Sequence, residues 1–154
     1  EVGASKVLID CGMEQGNNVY QNAELPVSYR EIDYVFLTHA HIDHAGMLPW
    51  IYARGFRGQV IATYATVDLC NIMLKDSAHI QEMEAEWKNR KARRAGNPEV
   101  QALYTVNDAE GVLKHFVPCH YGDILTICDG LKVRFTDVGH LLGSASIEVW
   151  IDDP

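Results

Sequence analysis

The amino-acid sequence predicts an α/β sandwich in which outer helices cover mixed β-sheets. Three observations carry this expectation. Short β-branched apolar runs alternate with helical stretches through the first two thirds of the chain. A long segment then repeats its apolar residues at three- and four-residue steps, and the end of the chain is a quick succession of strand-like runs.

Taken in order, "KVLIDC" (6–11) and "DYVFLT" (33–38) are short, apolar and bounded by polar or glycine-containing turns, so both read as buried strands. The stretch between them, "GMEQGNNVYQNAELPVSYREI", carries glycines, asparagines and a proline and reads mostly as loop. "LPWIYARG" reads as a short helix, with Pro49 tolerated in its first turn and Gly55 just past its end. "GQVIAT" (58–63) is a third strand.

From about Thr66 to Arg94 the apolar positions Leu69, Ile72, Met73, Ile80, Met83 and Trp87, interrupted by Asp76, predict one long amphipathic helix or two. Glu84 with Lys88 and Glu86 with Arg90 stand four residues apart in the favourable order, and "GNP" (96–98) ends the segment. "NDAEGVLKHF" (107–116) reads as a shorter helix capped by Asn107 or Asp108. "GDILTI", "LKVRFTDV" and "ASIEVWI" are three further strands, the first two joined at the hairpin signal "CDG".

At 154 residues, with 47% hydrophobic and 22% charged residues, the chain suits one globular domain with its own core. No apolar run approaches the roughly 18–20 residues of a membrane span. The opening "EVGASKVLID" does not read as a signal peptide, so a cytoplasmic location is expected. Cys11, Cys70, Cys119 and Cys128 are scattered with no CxxC pair, which points to reduced, partly buried thiols rather than a zinc ribbon or a disulfide framework. A net charge of −8 argues against electrostatic nucleic-acid binding by the whole surface. Basic residues do cluster at Lys88, Arg90, Lys91, Arg93 and Arg94, where a solvated helix end is the plainer reading and a nucleic-acid contact the alternative.

The densest chemistry lies in "LTHAHIDHAGMLPW", where His39, His41, Asp43 and His44 fall within six positions. Zinc and similar cations take neutral imidazole nitrogen and carboxylate oxygen as ligands. Two residues apart in extended chain, His39 and His41 point the same way and can pinch one ion. Asp43 and His44 follow where the backbone must turn, so they aim at a neighbouring point. A pair of metal ions is the object that needs all four. The alternative is a polar loop whose histidines bond the backbone. His140, in "DVGHLLGSAS" after a strand and between Gly139 and Gly143, is the further ligand expected for the first ion. Asp10, closing the first strand, either ligates or orients a ligating histidine, and the orienting role is favoured. His79, within the long helix, and His115, at the end of the short one, read as surface or dipole-complementing residues, and His120 is assigned no role.

These residues resemble the metallo-β-lactamase fold, and within it the nucleic-acid-processing β-CASP branch of RNase J and the mRNA 3′-end cleavage factor. HxHxDH stands here as "HAHIDH"; "LIDCGMEQG", "THAHIDHAGMLPW" and "DVGHLLGSASIEVW" are similar to that branch's first three motifs. The intervening "ATVDLCNIMLKDSAHIQE" and "LYTVNDAEGVLKHFVPCHYGD" also look like this branch, so the likeness runs over nearly the whole chain. The resemblance implies a partial αββα sandwich with the metals at one edge. His39, His41 and His140 would hold one metal, Asp43 and His44 the other, and Asp10 would support the site. The implied cofactor is zinc, two ions in a complete enzyme, with manganese as the alternative. The implied activity of the parent protein is two-metal hydrolysis of phosphodiesters in RNA or single-stranded nucleic acid.

Family members also carry a bridging aspartate in a Ser-Gly-Asp segment, an inserted β-CASP domain and late histidines, none of which is found here. Asp152 and Asp153 lack the Ser-Gly context. Residues 1–154 are therefore expected to be the N-terminal part of a metallo-β-lactamase domain, binding one metal or none and inactive alone. The other readings are a small-molecule hydrolase of the same fold, acting on thioesters or lactams, and a non-catalytic binding fragment. The edge strand "ASIEVWI" leads to an expectation of self-association, and no membrane partner is expected.

Overall fold

A computed structural model describes residues 1–14 and 24–152. Four short strands, β1 (Val7–Ile9), β2 (Tyr34–Phe36), β3 (Gln59–Thr63) and β4 (Phe116–Cys119), lie side by side in that order and pair in parallel throughout. Parallel neighbours need crossovers, and helices supply them: α1 (Ile42–Ala45) and α2 (Leu48–Ala53) between β2 and β3, then α3 (Tyr64–Ala95) and α4 (Val106–Leu113) between β3 and β4. A second sheet of β5 (Ile124–Cys128), β6 (Leu131–Asp137) and β7 (Ala145–Ile151) is antiparallel, with β6 in the middle. Both pairing modes of the mixed reading are thus present, segregated into separate sheets.

The two-residue period of the strands divides the interior. Val35, Leu37, Val60 and Ala62 turn to the helices and join Leu48, Ile51, Leu74 and Val112 in one core. Phe36 and Ile61 turn the other way and pack with Leu131, Val133, Phe135 and Ala145 between the sheets. The layers are therefore helices, parallel sheet and antiparallel sheet. Full burial of a side chain such as Phe36 or Leu37 contributes about 1.5–3 kcal/mol relative to exposure.

Several expectations are refined. The segment from Thr66 to Arg94 lies in one helix of 32 residues, begun by the Thr63 side chain accepting from the Thr66 amide and ended by Gly96 at φ 71°. Its buried face is Thr66, Cys70, Leu74 and Ala78, whereas Ile72, Ile80, Met83 and Trp87 of the expected apolar stripe are exposed. The helical period was legible, but the sheet meets a neighbouring stripe of smaller residues. The shorter helix starts earlier than expected: Thr105 caps it, and the Asp108 carboxylate accepts back from the Thr105 amide in a capping box. Phe116, expected in that helix, instead opens β4, whose "FVPC" resisted assignment because Pro118 cannot donate to a ladder and is tolerated on this edge strand. Within the expected loop, Tyr29–Glu31 forms a 3-10 turn, and residues 15–23 lie outside the described residues. Asp153 does too.

Candidate metal centre

The centre forms where β2 ends. Past Phe36 the chain runs Leu37, Thr38, His39, Ala40, His41 and then enters α1, which places Asp43 and His44 on its first turns. Segment 11–13 braces this turn from below: the Cys11 amide donates to the His44 carbonyl at 2.7 Å and the Met13 amide to the Ile42 carbonyl at 2.9 Å. Gly12 sits between them, so close that a Cβ there would fall 1.7 Å from the Asp43 carbonyl oxygen. No larger residue fits without moving α1.

His39 and His41 converge as the spacing predicts, with His39 Nε2 3.1 Å from His41 Nδ1. His140 reaches them from the loop between β6 and β7, its ring centroid 4.9 Å from that of His39 and 5.2 Å from that of His41. One nitrogen from each of the three lies within 4.8 Å of the others. Two of the rings thus come from the parallel sheet and the third from the antiparallel one. The Ala145 amide ties the two sheets together at this point by donating to the Thr38 carbonyl at 2.9 Å.

Asp10 stands behind the histidines. It accepts from the Thr38 amide and the Thr38 hydroxyl, both at 2.8 Å, and lies 2.7 Å from His44 Nδ1. Its backbone is left-handed, φ 58°, a conformation that costs a non-glycine residue about 1–3 kcal/mol and persists where surrounding bonds over-determine it. A carboxylate can only accept, so His44 donates from Nδ1, and in the neutral tautomer that this contact selects Nε2 carries the lone pair. Thr38 extends the same logic. Its one hydroxyl hydrogen goes to Asp10, so at 2.9 Å from His39 Nδ1 the oxygen accepts, and His39 Nε2 is left with its lone pair. Thr38 was missed by sequence reasoning; a lone hydroxyl between an apolar strand and the first histidine was the available signal.

The His44 ring lies 4.0 Å from that of His39, and Asp43 Oδ2 is 3.8 Å from His44 Nε2, with the Asp43 side chain open to solvent. All six residues singled out from the sequence therefore occupy one region. His39 is buried, and that burial, followed by the neighbouring His44, His41 and His140, holds its imidazole below the ordinary value. A ring kept neutral with a free Nε2 is what a cation requires. Three imidazole nitrogens within 4.8 Å of one another, with a carboxylate and another imidazole alongside, fit a metal ion by donor chemistry. His79, His115 and His120 are not in this group. His115 instead contacts the Gly58 carbonyl through Nδ1 at 2.9 Å.

Residues 1–132 match the family described as the metallo-beta-lactamase superfamily. A ribonuclease of Thermus thermophilus is 36% identical over 146 residues, covering 94% of this chain and 30% of that protein. The transcription termination factor FttA of Methanococcus maripaludis is 31% identical over 153 residues, covering 97% of this chain and 22% of that protein. The chain thus spans less than a third of the length of either relative. Among solved structures, a Cronobacter sakazakii metallo-β-lactamase with a HARLDQ motif aligns over 97% of this chain and 46% of that one, with a TM-score of 0.53 at 17% identity, a likeness of fold. With its sheets, helices and histidine cluster arranged as described, and with the family match running through most of its length, the chain belongs to the metallo-β-lactamase superfamily.

Proposed function

We propose that the chain is the metal-binding N-terminal part of a two-metal phosphodiesterase of the β-CASP branch that cleaves RNA. The convergence of His39, His41 and His140 beside Asp43 and His44 carries the reading. The names of the relatives, a ribonuclease and a transcription termination factor, support RNA over DNA.

In this reading His39, His41 and His140 hold one zinc ion and Asp43 and His44 contribute to a second, with manganese as the alternative. Bound cations supply Lewis acidity toward a phosphoryl oxygen and acidify water. The chain's own residues prepare the site. Asp10, through its contact with His44 and through the Thr38 hydroxyl to His39, fixes both tautomers and both ring orientations. The solvent-open Asp43 carboxylate adds negative charge beside His44, the pair that would contribute to a second cation. The bridging ligand, the β-CASP clamp and the late histidines belong to the longer parent, so the 154-residue chain is expected to bind one zinc or none and to lack nuclease activity.

No helix among the described residues is long and apolar enough to cross a membrane, and a cytoplasmic location is part of the proposal. Strand β7 pairs only with β6 among the described residues, which supports self-association of the isolated chain through that edge. Light scattering returning a single-chain mass would remove that part.

The deciding experiment is metal analysis combined with turnover. The parent protein is expected to hold two zinc equivalents and to cleave single-stranded RNA, with cleavage lost in His39→Ala and His140→Ala. Turnover of thioesters or lactams with none of RNA would move the assignment to a small-molecule hydrolase.

A further inference from the structure

The third histidine arrives on a loop from the opposite sheet, and something must set where that loop stops. Resting on the triad described above, we propose that Thr63 and Thr66 are positioning residues for His140, clasping its loop through the Gly143 carbonyl.

The Thr63 hydroxyl donates to the Gly143 oxygen at 2.6 Å and the Thr66 hydroxyl donates to the same oxygen at 2.9 Å. Both threonines are essentially buried, at 3% and 0% exposure, so water does not substitute for either. A carbonyl has two acceptor sites, and here two neighbouring hydroxyls, 3.1 Å apart, fill them. That fixes the peptide plane as well as its distance from the parallel sheet. Thr63 ends β3 and Thr66 lies in the first turn of α3, with the Thr66 amide bonded back to Thr63 Oγ1 at 3.4 Å. The clasp is therefore built on the junction of a strand end with a capped helix start.

The approach is tight enough to select the residue it holds. Gly143 has φ 85°, and a Cβ there would fall 2.5 Å from the Thr66 amide nitrogen and 2.7 Å from Thr66 Oγ1. Ser144 carries the constraint from Gly143 to the histidine. Its Oγ accepts from the His140 amide at 3.3 Å and from the Leu141 amide at 3.0 Å, while its carbonyl accepts from the Tyr121 hydroxyl at 2.9 Å. The Ser144 amide closes the turn on the Leu141 carbonyl at 2.8 Å. Residues 140–144 thus form one small hydrogen-bonded unit, pinned to β3 and α3 at Gly143, to Tyr121 at Ser144 and, through the adjoining Ala145, to Thr38 just past β2. His39 and His41 follow β2 within the same parallel layer as Thr63. The clasp consequently registers the third imidazole against the first two across the junction of the sheets.

The test uses the 154-residue chain with cobalt(II) alone as the probe, followed by its visible absorption. Thr66→Val removes the hydroxyl and keeps the branched shape, whereas Thr66→Ser keeps the hydroxyl. Thr66→Val is expected to weaken cobalt binding about tenfold, the lower end for a residue that orients a ligand, and to alter the absorption bands. Thr66→Ser is expected to restore both. Amide hydrogen exchange on the metal-free chain gives a second readout: Thr66→Val is expected to speed exchange at His140 and Leu141 about tenfold, leaving the β3 core amides unchanged. Wild-type binding and wild-type exchange in Thr66→Val would overturn the proposal. Exchange accelerated equally throughout the fold, or no recovery in Thr66→Ser, would also overturn it in favour of a general packing role. Absence of cobalt binding by the unaltered chain is within what the proposed function expects of these 154 residues, and exchange at His140 and Leu141 in Thr66→Val then decides the clasp by itself.

Discussion

His44 Nδ1 lies 2.7 Å from Asp10 Oδ2, joining residues 34 positions apart and locking the end of β1 to α1. The same carboxylate also holds Thr38, which in turn contacts His39. One side chain therefore touches one imidazole directly and reaches a second through Thr38.

Asp10→Asn tests that role with little backbone disturbance, because asparagine tolerates the left-handed conformation at φ 58°. Its amide nitrogen cannot accept from the Thr38 hydroxyl or from His44 Nδ1–H. Zinc affinity measured by competition with a chromophoric chelator is expected to fall about 10–100-fold. Stability in urea is expected to drop by about 1–3 kcal/mol from the unsatisfied partners. Unchanged affinity would show that Asp10 is only a turn residue.

Gly12→Ala should be costly for a steric reason. The added methyl meets the Asp43 carbonyl carbon, built 2.4 Å away, and the backbone bonds from Cys11 and Met13 leave α1 little room to retreat. A loss of about 1–3 kcal/mol is expected in urea unfolding, with the metal affinity falling as Asp43 and His44 are displaced. An equal change at Gly3, whose added Cβ meets nothing within 4 Å, is expected to leave affinity unaltered.

The pH dependence follows from His39. Burial first, then His44, His41 and His140, hold its imidazole below the ordinary value of 6.5, with Asp10 acting weakly in the opposite direction. In the unfolded chain this ring takes its proton near 6.5; in the fold it does so only at lower pH. Across the window running down from 6.5 the unfolded state binds more protons, so stability falls as pH falls, and above it this group adds no slope. Urea midpoints of the metal-free chain are expected to be level near neutrality and to decline below 6.5, less steeply in His39→Gln. A midpoint that rises on acidification would contradict this.

The cysteines offer a separate check on the fold. Burial pushes the Cys11 and Cys70 thiols up to about 12 and Cys119 up to about 11, suppressing the reactive thiolate. Cys128 is only partly covered. Iodoacetamide followed by mass spectrometry is expected to modify Cys128 first and the other three only in denaturant. Early labelling of Cys70 would mean that α3 does not pack as described.

Elements whose pattern is local were legible. The strands at Val7, Tyr34 and Gln59 announced themselves as apolar runs between turns, and α3 by its period. The face of α3 that packs was not legible, because Cys70 and Ala78 are small and weakly marked while Ile72 and Trp87 are prominent and exposed. Strand β4 was hidden by Pro118, and the cap of α4 by Asp108, whose role is to answer Thr105 rather than to begin the helix.

The centre divides along the same line. By itself the sequence determined the donor set around residues 39–44, because extended chain puts alternate side chains on one side and the two histidines are only two residues apart. His140 and Asp10 were expected beside them from their places at strand ends, and the tertiary structure is what brings them there. It also decided that Thr38, Thr63 and Thr66 hold the assembly in register. Those relations join different strands and both sheets, and no local period records them; they exist only once burial of the shared core has brought the two sheets face to face.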